Sequence, residues 1–158
     1  MDDAVNQAPP ASLDRFLAGL QAGMLGVLWM LAWMGFTSAL TQRSVWAAEN
    51  LFATAFWRDA GLDGFGFSTL SGAALYVMLY SALGGAFAMA FAARPLSSLR
   101  LKMLAILFGL GWYFASFHGL WKAAAPLVAF LHPEESTIVG HVIYGALLGR
   151  VHSYLPRE

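Results

Sequence analysis

Four long apolar stretches fill most of the chain, and the charges are almost all confined to the gaps between them. They run from about Phe16 to Leu40, Thr69 to Ala93, Leu101 to Trp121 and Ser136 to Val151. A helix needs about 20 predominantly apolar residues to cross the hydrocarbon core of a bilayer. In 158 residues there is then room for four spans, short connections and no separate soluble domain. Charged residues are only 11% of the chain against about 25% in soluble domains. The expected fold is therefore an all-α membrane protein, a four-transmembrane-helix bundle forming one domain over residues 1–158. Residues 1–14 are read as a disordered cytoplasmic tail. The first stretch exceeds a signal-peptide core and follows Asp2, Asp3, Asp14 and Arg15 rather than a basic leader, so it is read as a retained helix.

Charge and composition exclude several classes of function. Nine basic and nine acidic residues cancel, which leaves no electrostatic footprint for nucleic acid. The chain lacks cysteine, which removes disulfides, thiolate metal sites and cysteine nucleophiles together. The middles of the four stretches hold no Asp, Glu, Lys or Arg. Proton pumps, carboxylate-based ion carriers and voltage sensors rely on such buried charges. There is no H-E-x-x-H, and Ser116 and His118 stand two apart on a helix, so they point to different faces and do not pair as nucleophile and base.

Basic residues beside the spans set orientation, because they are retained on the cytoplasmic side. If four helices alternate, Arg15, Arg94, Arg100, Lys102, Arg150 and Arg157 share one side, and Arg43, Arg58 and Lys122 the other. That asymmetry puts both termini in the cytoplasm. On the outer side, the segment from about 44 to 58 is expected to be an amphipathic helix lying in the interface. At 100° per residue, Arg43, Ala47, Asn50, Thr54 and Arg58 form one strip, and Val45, Ala48, Phe52, Ala55 and Phe56 lie opposite. Trp46, Trp57 and Trp121 are expected as interfacial anchors, since amphipathic rings favour the headgroup level. The stretch from Asp59 to Thr69 reads as turn chemistry ending in a helix cap at Ser68 or Thr69.

Lipid removes the hydrophobic drive between helices and leaves close packing and hydrogen bonding. Gly19, Gly23 and Gly26, then Gly84 and Gly85, Gly109, and Gly145 and Gly149 are the expected contact points. His118 and His141 are the polar exceptions within the spans. They share helix faces with Gly111 and Ala115, and with Gly145 and Gly149, and so are expected to face protein at the outer leaflet. Three readings are open for them. They hydrogen-bond across a helix interface, they hold haem b or a metal, or they contact a quinone-like ligand. Neighbouring helices pack 8 to 10 Å apart, which leaves little room for a macrocycle. Direct contact predicts a cost of about 1 kcal/mol for either His118→Ala or His141→Ala.

The stretch Gly140-His141-Val142-Ile143-Tyr144-Gly145-Ala146-Leu147-Leu148-Gly149, taken with Trp46-Ala47-Ala48-Glu49-Asn50-Leu51-Phe52-Ala53-Thr54, resembles small bacterial four-helix membrane proteins of uncharacterised function, in which a histidine precedes a Tyr-Gly pair in the last helix. The resemblance implies that architecture and a bacterial inner membrane, with no activity to carry over. The functional expectation is a non-enzymatic integral membrane protein, an accessory subunit of a larger complex, with no cofactor. One rival is a haem- or metal-binding protein using His118 and His141. Another is a small transporter or channel that works as a homo-oligomer.

Overall fold

The computed structural model describes residues 11–60 and 64–156, and within them the regular structure is helical throughout. α1 spans Ser12–Leu40, α2 Ala47–Ala53 and α3 Phe67–Phe91. α4 spans Ser98–Ala115 and continues through a π-helical turn, Ser116–Leu120, into α5, Trp121–Ala124. α6 spans Pro126–Leu131 and α7 Glu134–Leu148, followed by a 3₁₀ turn at Val151–Tyr154. Prolines set two of these boundaries. Pro126 cannot donate to the preceding turn and opens α6 at its first position, and Pro133 caps α7 ahead of Glu134 and Glu135.

Three helices are long and apolar enough to cross a membrane: α1 with 29 residues, α3 with 25, and the continuous α4–α5 helix with 27. At 1.5 Å per residue these extend roughly 37 to 44 Å, against about 30 Å of hydrocarbon. α7 has 15 residues and is shorter, about 22 Å. α1, α3 and α4 begin at Ser12, Phe67 and Ser98, a few residues ahead of the apolar stretches, and α7 begins at Glu134, where the proline and carboxylates ahead of the fourth stretch place a helix start. Their first turns are polar, which an apolar run does not include. Ser97, for example, accepts a 3.4 Å hydrogen bond from the Arg100 backbone N–H at the start of α4. Of the expected 1–14 tail, Ser12 to Asp14 are helical, and residues 1–10 lie outside the described residues.

Contacts between glycines fix the register. A Cβ at Gly19 would strike the Gly84 carbonyl and the Ala88 Cβ, and one at Gly23 would lie 2.7 Å from the Tyr80 carbonyl, so α1 and α3 run antiparallel. On α7, Gly26 of α1 meets Tyr144 and Met30 meets Gly140, again antiparallel. α4 follows the same rule: a Cβ at Gly109 would be 2.7 Å from the His141 carbonyl, and one at Gly149 would be 2.7 Å from the Lys102 Cα. Gly85 packs against the Phe16 ring. All eight glycines named from the sequence therefore sit at helix contacts, where a side chain would hold the backbones apart. Gly72 of α3, which the sequence reading passed over, lies against the Glu49 carbonyl of α2.

The short helix α2 departs from expectation. It covers Ala47–Ala53 rather than about 44–58, and its residues from Ala48 onward are buried. The polar strip is divided: Arg43 and Arg58 at its ends are exposed, whereas Asn50 and Thr54 between them are buried. Asn50 lies against α3, accepting from the Thr69 hydroxyl at 2.7 Å and donating to the Gly64 carbonyl at 3.2 Å. Thr69 also accepts from the Gly66 N–H at 3.1 Å, so it closes the start of α3, with Gly66 as the cap residue rather than Ser68 or Thr69. Phe52 stacks on Tyr76 with ring centroids 3.9 Å apart. Trp46 and Trp57 are exposed, as anchors require, but Trp121 is only 4% exposed and packs on Phe52 at 5.1 Å. Trp121 also meets the Tyr76 ring at 6.0 Å, so it fills the core between α2 and α3.

Candidate functional site

Buried polar groups gather where α1, α3 and α7 meet. Along α3 the buried residues Gly72, Tyr76, Tyr80, Gly84 and Ala88 recur every fourth position, one nearly straight stripe of a helix. The glycines and Ala88 bring α1 and α2 close, and the two tyrosines between them project into the centre. On α7, Gly140, His141, Tyr144, Gly145 and Leu148 form the facing surface.

The hydrogen bonds in this centre define a direction. His141 Nδ1 lies 2.8 Å from the Thr137 carbonyl, one turn earlier in α7. A carbonyl only accepts, so Nδ1 carries the proton and Nε2 of the neutral ring is an acceptor. The Tyr80 hydroxyl, 2.6 Å from Nε2, must then donate to it. Tyr76 in turn donates to the Tyr80 hydroxyl at 3.0 Å. Tyr144 completes the set by donating to the Tyr80 backbone carbonyl at 2.8 Å. Tyr76, Tyr80, Tyr144 and His141 are all fully buried, so every one of these bonds is shielded from water. The two ring nitrogens of His141 are thus both in use within the protein.

His118 lies elsewhere. Its side chain is 46% exposed, and Nε2 sits 3.6 Å from Glu134 Oε1, a carboxylate that is itself 54% exposed. The Tyr113 hydroxyl donates to the same oxygen at 2.5 Å. The Tyr113 ring stands between the two histidines, with centroids 5.9 Å from His118 and 5.4 Å from His141. The expectation that His118 faces protein with Gly111 and Ala115 is corrected by the packing stripe of α4, which runs through Leu101, Ala105, Gly109 and Tyr113. Gly111 and Ala115 are exposed, and a Cβ at Gly111 would meet nothing within 4 Å. An exposed pair of this kind is worth little. His118→Ala is therefore expected to change stability by less than about 0.5 kcal/mol. A chemical denaturation titration in micelles checks this, and a loss above about 1 kcal/mol contradicts it.

A second polar group lies at the end of the molecule that holds α2 and α6. The Arg43 guanidinium donates to the Leu131 carbonyl at the end of α6. His132 follows it, buried against Phe52, with ring centroids 6.1 Å apart. Glu49 is buried on α2, one turn before Phe52. His132 Nε2 and Glu49 Oε2 have no hydrogen-bond partner among the described residues. Burial, assisted by the Arg43 charge, holds the His132 imidazole down at about 4 from an ordinary 6.5. Burial pushes the Glu49 carboxyl up, and its own backbone offsets this in part. The signs are opposite. The neutral His132 imidazole contributes stability that is fully present above pH 6.5 and lost as pH falls toward 4, because the unfolded chain takes up the proton first. The contribution of Glu49 is instead largest at low pH. In a Glu49→Gln background, His132→Phe should reduce the acid loss between about pH 6.5 and 4 without abolishing it. An unchanged pH profile contradicts that assignment.

Among the described residues, no three or more His, Asp or Glu side chains converge to hold a metal ion. No protein-family model, curated protein or solved structure matches the chain.

Proposed function

We propose that the chain is a non-enzymatic integral membrane protein that crosses the bilayer four times and serves as an accessory or structural subunit of a larger membrane complex. The observation that carries this reading is the occupied state of His141. With Nδ1 donating to Thr137 and Nε2 accepting from Tyr80, the imidazole is spent on joining α3 to α7. The neighbouring interfaces, of α1 with α3 and of α7 with α1 and α4, are closed by glycine contacts, which favour a fixed packing unit over a moving carrier. α7, with 15 residues, is assigned the fourth crossing, and the 3₁₀ turn Val151–Tyr154 follows it beside the end of α3.

Orientation rests on the six basic residues flanking one side against three on the other. Two contacts agree with the turn after α7 lying on the same side as the end of α3: the turn Val151–Tyr154 packs on α1, and His152 Nε2 lies 3.0 Å from the Ala92 carbonyl at the end of α3. That end is assigned to the cytoplasm, and the membrane to a bacterial inner membrane in keeping with the sequence resemblance. Outward-facing Leu13, Leu17, Met24 and Leu28 supply a lipid-facing stripe on α1. Native mass spectrometry of protein extracted from its own membrane in mild detergent tests the proposal. A stoichiometric larger protein partner is expected. A Soret-absorbing adduct would favour the haem reading instead, and a closed homo-oligomer with substrate flux would favour a transporter.

A further inference from the structure

A groove of about 540 Å³ opens between the segment after α2 and the α5–α6 corner. One wall carries Thr54, Phe56 and Arg58, and the other Ala123, Pro126 and Leu127. The walls differ in chemistry from the rest of this end of the molecule. Arg58 is exposed and has no ion-pair partner among the described residues, and no carboxylate lines the groove. Beside the lining, Lys122 stands exposed next to Ala123 and Asp59 stands exposed next to Arg58, so Arg58 is the charge that the groove itself presents. Leu127 and Phe56 give the remainder of the groove an apolar floor and rim.

Depth identifies what meets this groove. Trp46 and Trp57 are exposed on the connections at this end, with Phe56, Phe65 and Phe130 exposed beside them. Exposed aromatic rings gathered at the end of membrane helices mark the headgroup level, where tryptophan and tyrosine belts sit. A groove at that level opens onto lipid headgroups, with phosphate at the height of Arg58 and acyl chains along the apolar residues. A guanidinium pairs with phosphate through two parallel N–H donors.

We propose that this groove binds one anionic phospholipid, its phosphate on Arg58 and its first acyl carbons against Phe56 and Leu127. The proposal rests on the membrane reading given above. A zwitterionic lipid would bring a cationic group to the same place and is disfavoured by Arg58.

The test is native mass spectrometry of the full chain in mild detergent, titrated with dioleoylphosphatidylglycerol and, separately, with dioleoylphosphatidylcholine. One phosphatidylglycerol should be retained in preference to phosphatidylcholine. Arg58→Gln should weaken retention about fivefold, and Leu127→Trp, which fills the groove without changing charge, should also weaken it. Arg100→Gln, an exposed cation at the opposite end, should leave retention unchanged. Equal retention by Arg58→Gln and the parent, equal loss in Arg100→Gln, or a second protein copy held in the groove in place of lipid overturns the proposal. A chain that stays monodisperse in water without detergent overturns the membrane reading itself, and that outcome is distinct from the others.

Discussion

Gly84→Val is expected to destabilise the protein by about 3 kcal/mol, the upper part of the usual range for overpacking a tight interface. The reason is reciprocal. A Cβ at Gly84 would strike the Gly19 carbonyl and lie 2.8 Å from the Gly23 Cα, and a Cβ at Gly19 would strike the Gly84 carbonyl. All of these are backbone atoms, so no side chain can rotate away to make room, and α1 and α3 must separate. Separation also draws Tyr80 away from its partners, since the Tyr80 carbonyl is the atom nearest a Cβ at Gly23. Gly111→Val is the matched control. It carries the same β-branched cost within a helix, but its Cβ enters open space. Reversible unfolding of both variants in mixed micelles gives the comparison. A difference between them below about 1 kcal/mol contradicts the register described here.

His141→Ala should cost about 2 kcal/mol, because it removes the acceptor of a buried tyrosine hydroxyl and leaves a void between α3 and α7. Tyr80→Phe should cost about 1 kcal/mol, since hydrogen bonds between membrane helices average about 0.6 and reach about 1.7 kcal/mol. The double variant separates this pair from two unrelated losses. Once His141 is absent, Tyr80→Phe has less left to remove, so the combined loss should fall short of the sum by about 1 kcal/mol. A second cycle between His118 and His141 should show a smaller coupling, because the two rings meet only through Tyr113. The opposite pattern, with coupling at His118 and none at Tyr80, contradicts the direction of the hydrogen bonds.

The parts of this structure that were legible in the sequence are those that lipid dictates. Length and apolarity alone mark α1, α3 and α4–α5, and the absence of a hydrophobic drive between helices makes glycine the natural contact residue. Gly19, Gly84, Gly109 and Gly145 could therefore be read before any coordinates. Misreadings cluster where water and lipid meet. At Asn50 and Thr54 helical periodicity was read as a water-facing strip, yet Asn50 bonds Thr69 in the interior and Thr54 donates to the Leu51 carbonyl at 2.6 Å. Periodicity reports which residues share a face, and the pairing partner decides whether that face is wet. The same limit explains Gly111 and His118: glycine on a helix suggests packing, but the period-four stripe of Leu101, Ala105, Gly109 and Tyr113 takes the contact. Tyr76 and Tyr80 went unnoticed although a period-four pattern from Gly72 to Ala88 was available as a signal. That pattern, small residues flanking two large hydroxyl-bearing ones, is what packs three helices around the centre.

The central claim is that all four helices cross the bilayer, and the chain's lack of cysteine makes it directly testable. Single substitutions Ser44→Cys, Ser97→Cys and Ser153→Cys place one thiol in the connection after α1, the connection before α4 and the turn after α7. In oriented vesicles, a membrane-impermeant maleimide should reach Ser44→Cys from one face, and Ser97→Cys and Ser153→Cys from the other. Labelling of Ser153→Cys from the same face as Ser44→Cys would mean that α7 does not cross, and would contradict the account.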